Sequence, residues 1–258
     1  MRPLSEIKND RTLAHVVPLV AFMVIMLPWQ FVGDLIEWKH PLAPWWRRYP
    51  EHWLYPLQSL IAIALLLFFR KNYNFKVSPR GVLIGVFMGA VGIGFWLLPT
   101  HLHMVLGLEG DQEGWLKWFG VMPRDDGFNP QDLSDSFGGS PSVYWTTLIL
   151  RFFRAVVVVA LVEEIFWRGF LMRFLLNPDR DYWAVPFGKP AWVSYAVVTL
   201  AFVLVHQPVD YVGAFVFGSI MYGVAVWTRS LMACVIMHGV ANLLMGIYAL
   251  YYAKYGLW

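Results

Sequence analysis

Only 14% of the 258 residues are Asp, Glu, Lys or Arg, whereas 58% are hydrophobic and 17% are aromatic. A soluble domain carries about 25% of these charged residues. Six stretches of at least 18 residues contain none of them, namely 12–33, 52–69, 81–108, 190–209, 211–228 and 230–253. Such stretches are typical of membrane-spanning helices and exclude a soluble nucleic-acid-binding protein, a disordered chain and a disulfide-based secreted scaffold.

Seven apolar segments predict an all-α polytopic membrane protein, a helical bundle of about seven or eight transmembrane helices. In chain order they cover about residues 12–33, 53–69, 81–102, 155–176, 191–205, 211–228 and 230–252. Pro18 and Pro28 lie in the first segment, which lacks the cleavage pattern of a signal peptide, so we predict that it is retained as a span. Gly85 and Gly89 stand four residues apart on one helix face, a spacing that permits close packing.

Two stretches between these segments carry charge. Residues 103–141 are hydrophilic, with seven acidic residues against two basic ones, and predict an acidic loop. This loop is either a lid or substrate selector, or simply a solvated surface. Residues 142–176 are apolar but contain charged side chains. Either one long helix covers them, or an interfacial helix through Arg154 leads into a span.

The distribution of cationic residues predicts the orientation. With seven spans, twelve Lys and Arg residues fall on one side of the membrane and six to eight on the other. The positive-inside bias therefore places the N-terminus in the cytoplasm. We predict a single integral membrane domain over residues 1–258.

Two adjacent acids, Glu163 and Glu164, lie inside the predicted 155–176 span. An ionisable side chain there costs at least ~2.5–3.5 kcal/mol. Glu164 has Arg168 four residues later, the favourable order for an ion pair, whereas Glu163 has Trp167 at that spacing. We interpret Glu164 as structural and Glu163 as a candidate general base. The alternative is a buried charge cluster that only holds helices together.

Polar residues also interrupt two later spans. His206 lies four residues after Phe202, and His238 lies four residues before Asn242. A histidine near a helix end is more often a packing residue, which is the alternative for His206. Together with Glu163, these side chains supply a base, a second proton-handling group and two donors for an oxyanion. Water-mediated peptide hydrolysis requires this inventory.

Three short motifs occur in order on separate spans: Glu-Glu-x-x-x-Arg at 163–168, Phe-x-x-x-His at 202–206 and His-x-x-x-Asn at 238–242. In this order they resemble the CAAX prenyl endopeptidase type II family, the CPBP intramembrane glutamic proteases. The sequence Glu163-Glu164-Ile-Phe-Trp-Arg168 and the Gly127-Phe128-Asn129-Pro130 loop look like the CAAX protease-related subfamily of bacteria with exosortase systems.

The resemblance implies a catalytic core of about 155–242. Glu163 would activate water, His206 would orient it and shuttle its proton, and His238 with Asn242 would stabilise the tetrahedral oxyanion. The supporting residues would be Glu164, Arg168 and Phe202. The resemblance implies no metal or cofactor, a location in the bacterial inner membrane, and a peptide or protein substrate within or at the bilayer. A CAAX substrate is not implied, because bacteria generally lack prenylated cysteine tails.

Other chemistries use the same residues. Glu163, His206 and His238 could form a three-ligand zinc site, although the motif His-Glu-x-x-His is absent. Cys234 and Ser219 are further candidate nucleophiles beside His238, but a buried Cys is usually a small hydrophobe and Gly-Ser in a span usually serves packing. A non-proteolytic membrane partner or immunity protein that retains the protease fold is an alternative of a different class.

Overall fold

The computed structural model describes residues 3–25, 37–38, 40, 42–108, 114–179 and 181–258. These ranges contain helices and connecting segments but no β-strand, which confirms the predicted all-α class. The helices are α1 (Leu4–Asn9), α2 (Arg11–Val24), α3 (Trp45–Arg48), α4 (Glu51–Phe68), α5 (Pro79–Val105), α6 (Pro130–Ser136), α7 (Pro141–Phe174), α8 (Trp192–Leu204), α9 (Tyr211–Thr228) and α10 (Leu231–Tyr251). Short 3₁₀ turns cover Arg70–Asn72, Trp115–Phe119, Tyr182–Ala184, Pro208–Asp210 and Tyr255–Leu257.

Five helical segments in the described ranges are long and apolar enough to cross a membrane. They are α4, α5, α7, α10 and Pro208–Thr228, which includes α9. The apolar helices α2 and α8 are shorter, with 14 and 13 residues. Residues 26–33 of the first predicted span, with Pro28, lie outside the described residues. The chain is therefore a polytopic helical membrane protein, while seven or eight spans stays a prediction.

One continuous helix covers the charged apolar stretch after the acidic loop. α7 is 34 residues long. Its backbone hydrogen bonds change from the α to the π pattern at Arg154–Val159 and at Ile165–Leu171. π segments inside α-helices are rare and are frequent at functional sites, because they rotate the side chains that follow them. The second π segment directly follows Glu163 and Glu164.

By its internal contacts the chain divides into two compact units. The first comprises Met1–Tyr73 and Phe128–Val162. In this unit buried polar side chains link the helices: Gln58 Nε2 donates to the backbone oxygen of Phe22 at 2.6 Å, and Gln58 Oε1 accepts from Arg154 Nε at 2.9 Å. Gln58 therefore satisfies groups on two other helices that would be costly to bury alone.

The second unit comprises Asn74–Gly127 and Glu163–Trp258. Its glycines allow α5 to lie against the backbone of α10. A Cβ added to Gly85 would lie 2.7 Å from the backbone oxygen of Ala233, and one added to Gly89 would lie 2.6 Å from that of Met237. The predicted close packing at these glycines is confirmed, and it fixes the helix that carries His238.

We expect Gly89→Ala to destabilise the protein by about 1–3 kcal/mol, the usual cost of overpacking, because α5 and α10 would have to separate. Gly94→Ala on the same helix is the matched control, since a Cβ there has no atom within 4 Å. Alanine is also the better helix former by about 1 kcal/mol, so this control should be neutral or stabilising. Thermal unfolding of both variants in the same detergent compares them, and equal stability would contradict the packing.

Candidate active site

A buried carboxylate joins two helices of the second unit. Glu164 on α7 is fully buried, and its Oε1 accepts a hydrogen bond from Nη1 of Arg168 at 3.0 Å. The same oxygen lies 2.8 Å from Nδ1 of His238 on α10. Arg168 and His238 are themselves buried. The predicted pair one helical turn apart is present, and the histidine 74 residues later completes a three-residue cluster.

The contact with Glu164 determines how His238 is protonated. Beside the Arg168 guanidinium, Oε1 of Glu164 acts as an acceptor, so Nδ1 of His238 carries a hydrogen. The other ring nitrogen, Nε2, accepts a proton in the neutral ring and donates one in the imidazolium. Glu164 therefore orients His238 and sets its tautomer, while Arg168 balances the charge of the carboxylate.

Glu163 has a different environment from its neighbour. Its side chain is half-buried, and no hydrogen bond joins its carboxylate to another of the described residues. Like Oε2 of Glu164, its Oε2 is a buried atom that accepts no hydrogen bond within the described part of the chain. Glu163 lies close enough to His238 to act on it electrostatically. An unused buried acceptor is unusual in a folded protein, and it is available to a water molecule or a substrate.

His206 lies in the turn after α8, and the backbone holds its ring. Its Nδ1 is 2.7 Å from the backbone oxygen of Phe202. Since a carbonyl oxygen can only accept, Nδ1 carries the hydrogen and Nε2 of the neutral ring keeps a lone pair. The ring also contacts Phe202 and Trp96, with centroids 4.6 Å and 5.3 Å away. This arrangement leaves Nε2 able to accept a proton.

Two aromatic rings connect His206 with the buried cluster. The fully buried Phe202 lies beneath the guanidinium of Arg168, 5.3 Å from its central carbon. The Phe217 ring is 6.3 Å from that of Phe202 and 5.9 Å from that of His238. Phe202 therefore packs against both the cation of the cluster and the His206 ring.

The residues predicted from the sequence differ in how they are connected to the buried cluster. Direct contacts join Glu164, Arg168 and His238. Chain neighbours of this cluster are Glu163, the preceding residue, and the half-buried Asn242, one helical turn after His238. His206 is linked to it through the Phe202 and Phe217 rings.

Sequence reasoning missed a polar chain behind His206. Trp96 packs against the His206 ring and donates from Nε1 to Oδ1 of Asp210 at 3.3 Å. Asp210 accepts two more hydrogen bonds from the buried Arg124, at 3.0 Å and 3.1 Å. Arg124 also donates to the backbone oxygen of Gly256. Since Arg124 belongs to the acidic loop, this part of the loop is docked beside the turn of His206.

The geometry does not support the alternative chemistries. The described ranges contain no group of three or more His, Cys, Asp and Glu residues that could hold a metal ion, so Glu163, His206 and His238 do not form the zinc site considered from the sequence. The hydroxyl of Ser219 is bonded within α9 and to a tyrosine. Cys234 is fully buried.

We expect Glu164→Gln to cost about 3–5 kcal/mol of stability, as is typical when one partner of a buried ion pair is removed, because Arg168 would lose its anion. Glu163→Gln is the matched control, because it makes the same change one residue earlier, where the carboxylate receives no hydrogen bond from Arg168 or His238. Thermal unfolding in one detergent measures both variants. Equal losses of stability would refute the assignment of different roles to the two glutamates.

Residues 145–244 match the family described as Type II CAAX prenyl endopeptidase Rce1-like. The matched range covers less than half of the chain and includes all of the predicted site residues, Glu163, Glu164, Arg168, Phe202, His206, His238 and Asn242. No curated protein and no solved structure shows significant similarity to the chain. A Rce1-like type II CAAX endopeptidase domain is therefore found at residues 145–244, which supports a CAAX-type membrane protease.

Proposed function

We propose that this protein is an intramembrane endopeptidase that uses Glu163 as a general base. The observation that carries the proposal is the difference between the two adjacent glutamates. Oε1 of Glu164 accepts hydrogen bonds from Arg168 and His238, whereas no hydrogen bond joins the Glu163 carboxylate to another of the described residues. Oε2 is buried without a hydrogen bond in both glutamates, so the difference between them lies in the contacts of Oε1 of Glu164. A carboxylate that does not hold other side chains in place is suited to activating water. The CAAX endopeptidase match supports peptide hydrolysis as the reaction.

In the proposed reaction Glu163 takes a proton from a water molecule, whose oxygen attacks the carbonyl carbon of the scissile peptide bond. The carbonyl electron pair moves to oxygen and forms a tetrahedral oxyanion. Nε2–H of His238, in its imidazolium form, and the amide of Asn242 donate hydrogen bonds to that oxyanion. The carbon–nitrogen bond then breaks, and the leaving amine receives the proton through His206. One carboxylic acid and one amine result, with no covalent acyl-enzyme.

The other residues of the cluster act by holding this machinery in place. Glu164 keeps Nδ1 of His238 protonated and thereby directs Nε2 to the reaction. Arg168 compensates the Glu164 charge, and Phe202 packs between Arg168 and His206. Preorganised donors of this kind lose little free energy to rearrangement during the reaction.

The proposed substrate is a membrane-associated or lipid-anchored protein, because the residues of the site lie on or next to membrane-spanning helices. The resemblance of the sequence between Glu163 and Arg168 to the exosortase-associated subfamily supports a bacterial inner membrane as the location. The excess of Lys and Arg on one side supports a cytoplasmic N-terminus.

We expect Glu163→Gln to abolish proteolysis while the protein stays folded, because an amide cannot accept the proton of water. Terminal proteomics of membranes from cells with the wild type or with this variant should reveal fragments that only the wild type produces. His206→Gln should abolish the same fragments. If these fragments persist with folded Glu163→Gln at wild-type levels, Glu163 is not the base. If the variant supports a cellular phenotype fully, a non-proteolytic partner role is favoured.

We also expect Asp210→Asn to lower kcat by up to about 100-fold, the scale of loss seen for small misplacements, with little change in KM. The reason is that Asp210 anchors the Trp96 ring that packs against His206. Asp125→Asn is the matched control, because Asp125 is 61% exposed and, among the described residues, pairs only with Lys254 at the surface. Kinetics on a peptide that spans the cleavage site measures both variants, and wild-type kcat in folded Asp210→Asn would refute the positioning role.

A further inference from the structure

The first compact unit contains a cavity of its own. Its volume is about 330 Å³, within the range of ~300–1,000 Å³ that is common for ligand pockets. Residues of α3, α4, α7 and the acidic loop line it, and the basic side chains among them are His52 and Arg151. This cavity and its residues play no part in the proposed peptide hydrolysis.

Arg151 places a cation in the wall of the cavity. The side chain is only 6% exposed, and its guanidinium carbon lies 4.8 Å from the ring centre of Tyr55 and 4.9 Å from that of Phe128. Aromatic rings stabilise a guanidinium through their faces, and its five N–H groups suit the oxygens of a phosphate or carboxylate. One such contact is already made, because Tyr55 is also a side-chain hydrogen-bond partner of Arg151. Glu51 also lines the cavity and acts electrostatically on Arg151, but 30% of its side chain is exposed, so solvent screens its charge.

His52 points to a ligand independently of Arg151. Its side chain is 1% exposed, and neither ring nitrogen makes a hydrogen bond to any residue of the described ranges. Oε1 of Glu51 lies 3.8 Å from Nε2, which is too far for a hydrogen bond. Burying a polar group without a partner is costly, and an acceptor bound in the cavity would remove that cost.

The N-terminal parts of α4 and α7, two helices that are long enough to cross a membrane, line the cavity, and we therefore place it near a membrane surface. At ~1.5 Å per residue, the 34 residues of α7 extend about 50 Å, well beyond the ~30 Å hydrocarbon core of a bilayer. The contact of Arg151 with Tyr55 places it level with the second turn of α4, which starts at Glu51. The partly exposed Trp45 and Phe137 line the same cavity, and aromatic side chains are enriched at this depth.

We infer that this cavity binds the phosphate-bearing headgroup of a membrane lipid. The phosphate oxygens accept hydrogen bonds from Arg151 and His52, and the acyl chains run along the exposed apolar surface of α7. Such a lipid gives the buried N–H of His52 an acceptor and places an anion beside the buried guanidinium. The site holds a structural lipid, and its occupancy does not depend on the protease reaction.

Native mass spectrometry of the full-length protein in detergent tests this inference. The probes are phosphatidylglycerol, a diacylglycerol with the same acyl chains, and inorganic phosphate. The wild type should retain phosphatidylglycerol at least tenfold better than the diacylglycerol, which lacks the phosphate. Equal retention of the two lipids, or binding of inorganic phosphate without the phospholipid, would overturn the proposal.

Three variants connect the binding to the cavity. His52→Phe keeps a ring against Phe128, 4.6 Å away, but removes the nitrogens, and should weaken phospholipid retention at least tenfold. Val143→Trp fills the cavity and should do the same, whereas Ile149→Trp is the control, because Ile149 is 63% exposed on the same helix and lies outside the cavity lining. Arg151→Gln should abolish retention. Wild-type retention in folded His52→Phe and Val143→Trp would overturn the assignment of the lipid to this cavity.

Discussion

The constraint on which the site depends is the cost of a carboxylate buried among membrane-spanning helices. Glu164 is fully buried, and one of its oxygens receives both Arg168 and His238. Since a buried ion without partners costs several kcal/mol, the stability of this cluster depends on the geometry that α7 and α10 give it. Gly89 brings α5 against the backbone of α10 beside His238, so helix packing and charge compensation support each other. The orientation of His238 is a consequence of the same contacts.

Two adjacent glutamates can serve different purposes only because a helix turns between them. Side chains next to each other on a helix point about 100° apart. Arg168 and His238 therefore contact Glu164 without making the same contacts with Glu163. The widened π segment Ile165–Leu171 starts immediately afterwards and rotates the following side chains, including Arg168, relative to a regular α-helix. A structural carboxylate next to a carboxylate with an unused oxygen concentrates negative charge near His238. That concentration requires a nearby cation, which Arg168 provides.

Local features of the fold and site could be predicted from the sequence, whereas contacts between distant segments could not. Uncharged apolar segments located the long helices, and the pair Glu164–Arg168 followed from helical spacing. The Glu164–His238 contact joins residues 74 apart, and the Arg124–Asp210 pair joins residues 86 apart. Helical periodicity does not extend across loops, so the sequence spacing of these residues gives no indication that they are in contact. The isolated acid Asp210, between two apolar runs, was the signal that could have indicated a buried partner. The cavity around Arg151 depends on loop residues whose pattern has no period.

The docking of Arg124 changes the interpretation of the acidic loop. Its guanidinium binds Asp210 with two hydrogen bonds, and its backbone oxygen accepts from the backbone N–H of Gly256 at 2.9 Å. Gly127 packs directly on the backbone of Tyr255, where any side chain at residue 127 would collide. This part of the loop therefore packs against the C-terminal segment. Asp210 forms a hydrogen bond with Trp96, and the Trp96 ring packs on the His206 ring. The loop and the C-terminal segment therefore help to position His206, although both are distant from it in sequence.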